Sequence, residues 1–384
     1  MKIVLAPDSF KGALSAKDIC HSLEDGIKSI IPNAIVTSVP MADGGEGTME
    51  NMVLGTNGTF VKKEVTGPLK EKLSASYGIL GDKETVVIEV AEASGLPLVP
   101  EEKRNPLLTT SYGTGELIKD ALDKGFRRFI IGLGGSATND AGVGILKALG
   151  MKFYNQKNEL LDDGGGSLGE LSYMDESQFD SRIKESTFLV ACDVNNPLCG
   201  RNGASAVFGP QKGATEEMIE ILDNNLNRFA EVVLEEKGKE IRQIPGGGAA
   251  GGIGASLVTF FGATLQSGID LVMKEVEFEK HVAGANLIIT GEGKLDSQTL
   301  SGKVIMGVTK VAKRREVPVI ALCGQLDITR KEIDKLGLLG AFSIMKKPCD
   351  LEEAFHQTPI WTRDIIENIM SIWLFLARNT NLGE

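Results

Sequence analysis

Short apolar runs alternate with amphipathic segments along almost the whole chain. That alternation admits few folds, because buried strands feeding covering helices build a mostly parallel sheet. The class expected is α/β. Residues 2–8 read as a first strand, Ser15 and Asp18 as a helix cap ahead of Ile19, Leu23, Ile27 and Ile30, and residues 34–40 as a second strand. Residues 60–65 and 73–80 read as extended, and Gly81-Asp82 separates the latter from residues 86–90, which predicts an antiparallel pair. Winding then resumes, with a helix over 115–124, a strand over 128–133, a helix over 137–149 and a strand over 151–154. Residues 162–171 read as a glycine-rich loop, 187–193 as a strand and 215–237 as a long exposed helix. The tail adds strands over 286–290, 317–323 and 341–345, in the style of the first two.

A chain of 384 residues exceeds what one core usually serves, so two domains are expected. The likeness of the two ends predicts one discontinuous domain, residues 1–75 and 265–384, with 76–264 as the second. The net charge of −11 argues against nucleic acid or an anionic membrane surface as the main partner. Cys20, Cys192, Cys199, Cys323 and Cys349 lack the close spacing of a zinc site or disulfide framework, and read as reduced thiols of a cytoplasmic protein. The opening apolar run is too short for a signal peptide. Residues 369–377 are about half the length of a membrane span and read as a helix packing on the body.

Chemistry is signalled first by glycine. The segment from Gly132 through Gly134, Gly135, Ser136, Thr138 and Asn139 to Asp140 follows one strand, and the segment 246–254, with Gly248, Gly251 and Gly252, precedes an apolar helix. Without a Cβ the backbone can approach a phosphate, and N–H groups opening a helix favour its charge. Both segments fit a dinucleotide fingerprint formally, but the acidic residue expected about 20 positions on is missing for the first, which lowers a nicotinamide reading. Either loop taken alone can equally serve tight turning. The chain has no Walker A sequence.

The second signal is carboxylates at or near predicted strand ends, where open α/β sheets place their ligand crevice. Asp8, Asp193 and Glu292 end strands, and Asp43 and Asp296 sit in nearby glycine-rich loops. Such groups suit a hydrated magnesium ion or a base on an attacking hydroxyl, although any single loop Asp more often caps a helix. His21, His281 and His356 lie in predicted helices away from any Ser or Cys motif, which argues against histidine catalysis. Lys11, Arg104, Lys212 and Lys303 supply basic groups in glycine-rich surroundings, where an Arg can grip a carboxylate with two bonds and a Lys acts as a point charge on phosphate.

Taken in order, the segments 6–11, 41–48, 104–106 with 109–115, 134–140, 191–198, 208–213, 249–252 and 290–299 resemble the bacterial type I glycerate kinase family. The likeness spans nearly the whole chain. It implies two α/β domains, one flavodoxin-like, with ATP and glycerate in the cleft between them, magnesium dependence and 2-phosphoglycerate as product. Lys294 stands where the family more often has arginine, which keeps the charge and loses the fork.

On this basis in-line phosphoryl transfer is expected. Asp193 is the expected base, Asp296 and Glu292 attend the metal, and Lys11 neutralises charge. Asp8, Ser9, Asp43 and Arg104 bind substrate. Gly134, Gly135, Ser136, Thr138, Asn139, Gly248, Gly251 and Gly252 hold ATP. A monomer or homodimer with small-molecule partners is expected. The rivals are an NAD(P)-dependent hydroxy-acid oxidoreductase and a non-catalytic metabolite sensor.

Overall fold

The computed structural model describes residues 1–296, 299 and 304–379. Lys303 and the motif residues Ser297 and Gln298 therefore lie outside the described residues. The described strands are β1 (Lys2–Pro7), β2 (Ile35–Ser38), β3 (Thr59–Thr66), β4 (Lys72–Ile79), β5 (Thr85–Glu89), β6 (Arg128–Gly132), β7 (Lys152–Tyr154), β8 (Tyr173–Asp175), β9 (Thr187–Ala191), β10 (Thr264–Gln266), β11 (Leu287–Leu295), β12 (Val319–Leu326) and β13 (Gly340–Ser343). The chain divides into two compact units, residues 1–43 with 269–384, and residues 44–268.

The discontinuous unit holds a five-stranded sheet ordered β13-β12-β11-β1-β2, with every pairing parallel. Counted by appearance within the unit this is the 2-1-3-4-5 order of flavodoxin-like sheets. Ile3, Leu5, Leu287, Ile289, Ile320 and Leu322 meet the helices Ala16–Ile30 and Leu351–Asn379 in one core. Ser15 caps the first of these helices as expected, accepting the Asp18 N–H at 3.1 Å. The C-terminal helix packs on the body through Trp361, Ile366 and Met370. No described helix is long and apolar enough to cross a membrane.

The second unit holds a six-stranded sheet ordered β10-β9-β6-β5-β4-β3, parallel from β10 to β5 and antiparallel from β5 to β3. Both faces of its centre are covered, so Val86-Val87-Ile88 and Phe129-Ile130-Ile131 are fully buried and read as continuous apolar runs. Phe129 stacks on Phe188, and Phe261 meets Phe188 edge-on.

Three expectations need correcting here. The N-terminal segment of the first unit runs to Asp43, not residue 75, because β3 and β4 form a hairpin that pairs with β5 and so belongs to the second sheet, and the unit's second segment begins at Ile269 rather than 265. The strand expected over 151–154 does not resume the winding, since β7 pairs with β8 in a two-stranded ribbon outside the main sheet. The helix Glu216–Lys237 is not wholly exposed, as Leu222, Leu226, Phe229, Ala230 and Val233 are buried.

Candidate active site

In the first unit the sheet order reverses between β1 and β11, which is the topological switch point where open α/β sheets bind ligands. The register sets Pro7 beside Gly291, so the next residues, Asp8 and Glu292, emerge at the same level. The Asp8 N–H donates to the Gly291 carbonyl at 2.8 Å. Beyond β2 the chain stays alongside β1, with the Val39 and Met41 N–H groups donating to Leu5 and Pro7 carbonyls, both at 2.8 Å. That path delivers Asp43 to the same sheet end. Thr299 links Glu292 to a further carboxylate residue, accepting the Asp296 N–H at 3.2 Å and donating to the Glu292 carboxylate. Lys294 pairs with Asp296 at 3.2 Å, and the backbone of exposed Lys11 lies against Gly293. Thus Asp8, Ser9, Lys11, Asp43, Glu292 and Asp296, scattered in sequence, all lie at or just beyond the carboxyl end of this sheet.

Crowding of like charge shows in Asp8. Burial, then the neighbouring Asp43 carboxylate, with Glu292 adding, push its carboxyl up to about 7, although the Ser9 N–H donates to it at 2.6 Å and works the other way. The folded chain therefore holds a proton there that the unfolded chain releases near pH 4. Stability falls as pH rises from about 4 to about 7 on this account, since the folded state binds the extra proton in that window. Asp8→Asn is expected to raise folding stability at pH 8 by about 1–2 kcal/mol, after allowance for partial exposure, with much less gain at pH 4. Denaturant titrations at the two pH values measure this, and a loss of stability at pH 8 would contradict it.

The second unit carries the glycine loops. The helix expected over 137–149 is corrected to Val143–Ala148, because residues 137–142 form a loop in which Ala141 and Gly142 have φ of 53° and 73°. Its opening N–H groups do not wait for a phosphate. Buried Asp140 accepts from the N–H groups of Gly142 and Gly144 at 3.0 and 3.3 Å, and from the N–H and hydroxyl of Ser111 at 2.9 and 2.8 Å. The loop 134–140 is shaped from within by this carboxylate.

The segment 246–252 packs on that loop. Gly251 has φ of +68°, and a Cβ there would sit 2.0 Å from the Thr138 carbonyl oxygen, so no other residue fits. Its own carbonyl accepts the Ala141 N–H at 3.0 Å. The Gly248 N–H is committed to the Asn196 carbonyl at 3.0 Å, and Gly252 precedes the helix Ile253–Phe261. Gly134 lies close against Gly45, and the Gly135 carbonyl accepts the Leu96 N–H at 2.7 Å. These glycines have a packing use whatever else they contact.

Lys212 departs most from expectation. Read from sequence as a group in polar, glycine-rich surroundings, it is only 3% exposed and donates to the Ser136 hydroxyl at 2.9 Å and the Thr138 carbonyl at 2.7 Å. Burial pushes its ammonium down to about 7, with the Asp140 charge acting in the opposite sense. The next residue, Gly213, has φ of +89° and leaves room for Arg104, whose Cβ would lie 2.7 Å from a Cβ at position 213. Three buried polar atoms in this region, Arg104 Nε, Thr138 Oγ1 and Asn139 Oδ1, lack any hydrogen-bond partner. Native interiors rarely leave such groups unmet, so water or a polar ligand is expected at them.

Glu89 is not among the residues that the sequence alone singles out. It ends β5, is buried, and accepts the Met49 N–H at 2.6 Å, fixing the start of the helix Thr48–Gly55. Burial first, with Glu92 and Glu46 adding, pushes its carboxyl up to about 7. A Glu closing an apolar strand was the available signal, the same one that singled out Asp8. Asp193, two residues past β9, is exposed and accepts the Gly268 N–H at 3.0 Å.

Comparison with known proteins agrees with the folded pattern. The family model described as the glycerate kinase family matches residues 3–374. Glycerate 2-kinase of Escherichia coli (strain K12) is 50% identical over 356 residues, covering 93% of each chain. Glycerate kinase of Bacillus subtilis (strain 168) is 48% identical over 373 residues, covering 96% of this chain and 98% of the relative. A crystal structure of a Salmonella typhimurium LT2 protein, provisionally named glycerate kinase 2, superposes with a TM-score of 0.88 at 46% identity, covering 98% of this chain and 99% of that one. The oxidoreductase and sensor readings have no support among these relatives. With a family model matching residues 3–374 and relatives near half identity over 93% and 98% of their length, the chain belongs to the glycerate kinase family.

Proposed function

We infer that the chain transfers the γ-phosphoryl group of ATP to a hydroxyl of glycerate, giving 2-phosphoglycerate. The observation that carries the phosphotransfer reading is the gathering of Asp8, Asp43 and Glu292 at the switch point of a flavodoxin-like sheet, in a chain whose relatives are named glycerate kinases. The 2-position is favoured by the name of the Escherichia coli relative and by geometry. Anchoring the carboxylate fixes the adjacent hydroxyl within one bond, whereas the terminal hydroxyl keeps an extra rotation.

The residues fit a magnesium ion of the kind that travels with ATP. Among the described residues no group of three His, Cys, Asp or Glu side chains could hold a metal alone, and magnesium commonly takes one or two carboxylates with phosphate oxygens completing its shell. Asp296 and Glu292 would hold it, and the raised Asp8 carboxyl marks a region short of positive charge. When bound, the ion neutralises charge developing on the transferred group. Asp193 accepts the proton of the attacking hydroxyl, and Lys11 offsets anionic charge. Asp8, Ser9 and Asp43 accept from or donate to the hydroxyls of glycerate. On the nucleotide side Ser136 and Thr138 donate to phosphate oxygens, and the unpartnered Asn139 Oδ1 suits a ligand hydroxyl or amino group. The glycine loops around Gly134, Gly135, Gly248, Gly251 and Gly252 keep bulk away from the nucleotide. The proposal includes a cytoplasmic protein acting as a monomer or homodimer, and its five cysteines are free thiols.

Arg104 is assigned to the glycerate carboxylate. Arg104→Ala is expected to raise KM for glycerate by roughly tenfold or more with a much smaller change for ATP, and Lys should recover only part. A change confined to the ATP constant would move Arg104 to the nucleotide side.

The function is tested by ATP consumption that requires glycerate, coupled to enolase without a phosphoglycerate mutase. Phosphoenolpyruvate is the expected product, and its absence until mutase is added would show phosphorylation of the 3-hydroxyl. ATP consumption that ignores glycerate would overturn the reading.

A further inference from the structure

We propose that Lys212 is the buried anchor of an oxyanion site. Its ammonium fixes Ser136 and Thr138 so that their hydroxyls donate to a phosphate group, and binding of that group draws a proton onto Lys212. An ammonium has three N–H groups, and only two are engaged here, by the Ser136 hydroxyl and the Thr138 carbonyl. Among the described residues no carboxylate pairs with it. Asp140, the charged group whose field reaches it, is engaged by four donors of its own. A buried cation with no anion in contact is a costly arrangement that folding alone does not require.

The neighbours point the same way. Ser136 Oγ accepts from the ammonium, so its own proton remains to be donated, and next to it Thr138 Oγ1 is buried with no partner. Two buried hydroxyls whose protons no protein group accepts, beside a buried lysine nitrogen, describe a receptor for a phosphate oxygen. Because burial pushes Lys212 down to about 7, the lysine is largely neutral above that pH in the free protein and becomes charged when an anion binds. Lys212 is thus a positioning residue for the loop and the proton acceptor that accompanies binding.

The inference rests on the kinase reading only for the identity of the anion, so ATP without glycerate is the probe, measured by calorimetry on the full chain. Between pH 7 and 9 the affinity of the natural protein is expected to fall about tenfold per pH unit, with close to one proton taken up per ATP at pH 8. Uptake is read from two buffers of different ionisation enthalpy. In Lys212→Met the uptake vanishes and ATP binds at least about tenfold more weakly at pH 7. Its melting temperature is maintained or raised, whereas removal of a merely structural lysine would lower it. Ser136→Ala keeps the proton uptake but binds ATP more weakly, and decides the matter if Lys212→Met does not fold. Absence of uptake in the natural protein, or unchanged ATP binding in the variants, would overturn the proposal. If those results accompany intact glycerate-dependent turnover, the inference fails and the function stands. ATP binding as expected without glycerate phosphorylation would sink the function instead.

Discussion

Asp193→Asn and Asp296→Asn are each expected to lower turnover by roughly a hundredfold or more while leaving the fold intact. Neither change threatens packing. Asp193 is exposed, and an amide oxygen can still accept the Gly268 N–H that its carboxylate accepts at 3.0 Å. Asp296→Asn loses a half-exposed pair with Lys294, worth at most about 1 kcal/mol, and keeps the backbone bond to Thr299. What each loses is a full negative charge, needed by Asp193 to take a proton and by Asp296 to attend a cation. Steady-state rates measured beside thermal melts check both. A variant whose activity falls only in proportion to its folded fraction would remove that residue from the mechanism.

Asp140→Ala is expected to destabilise the second unit by about 3–5 kcal/mol, enough to lower its transition by on the order of 10 °C. The substitution leaves four donors without an acceptor in a region where Asp140 itself is 1% exposed. It also removes the charge that favours the Lys212 ammonium, so ATP binding should weaken even in the molecules that remain folded. Calorimetric melts with and without ATP measure the two effects separately. A loss under about 1 kcal/mol would mean that water replaces the carboxylate at this site and that the loop does not depend on it.

Asp193 and Asp140 are unequally legible in the sequence. Asp193 was visible as a carboxylate following an apolar run, and Asp8 and Glu292 by the same sign. Asp140 stood within a recognised glycine segment, but its use could not be read there. The periodicity continues through residues 137–142, yet no helix forms until Val143, because Asp140 draws in the N–H groups of Gly142 and Gly144. A local pattern records which residues can be buried and is silent about where a buried acceptor will find its donors. β7 misled for a similar reason: an apolar triplet looks the same whether it joins the main sheet or a two-stranded ribbon. Lys212 was the hardest case, since a lysine among glycines is ordinarily solvated, and only the fold shows it bonded to residues more than seventy positions away.

By itself the sequence determined the class, most of the strands, the helix cap at Ser15 and the carboxylates Asp8 and Asp193 that follow their strands, because alternation, capping and strand termini are local properties of the chain; Glu292, expected to end a strand, lies inside β11. It also carried the family resemblance, through blocks whose order and spacing are preserved end to end. The tertiary structure alone decided that β11 returns beside β1, which brings Glu292 level with Asp8, whose carboxyl burial first and then the Asp43 charge push up. It also decided that β3 and β4 leave the first unit for the second sheet, and that Lys212 is enclosed with Ser136, Thr138 and Asp140. Strand order and the pairing of distant residues are settled by which surfaces exclude water together, a property of the assembled chain that no short stretch of sequence contains.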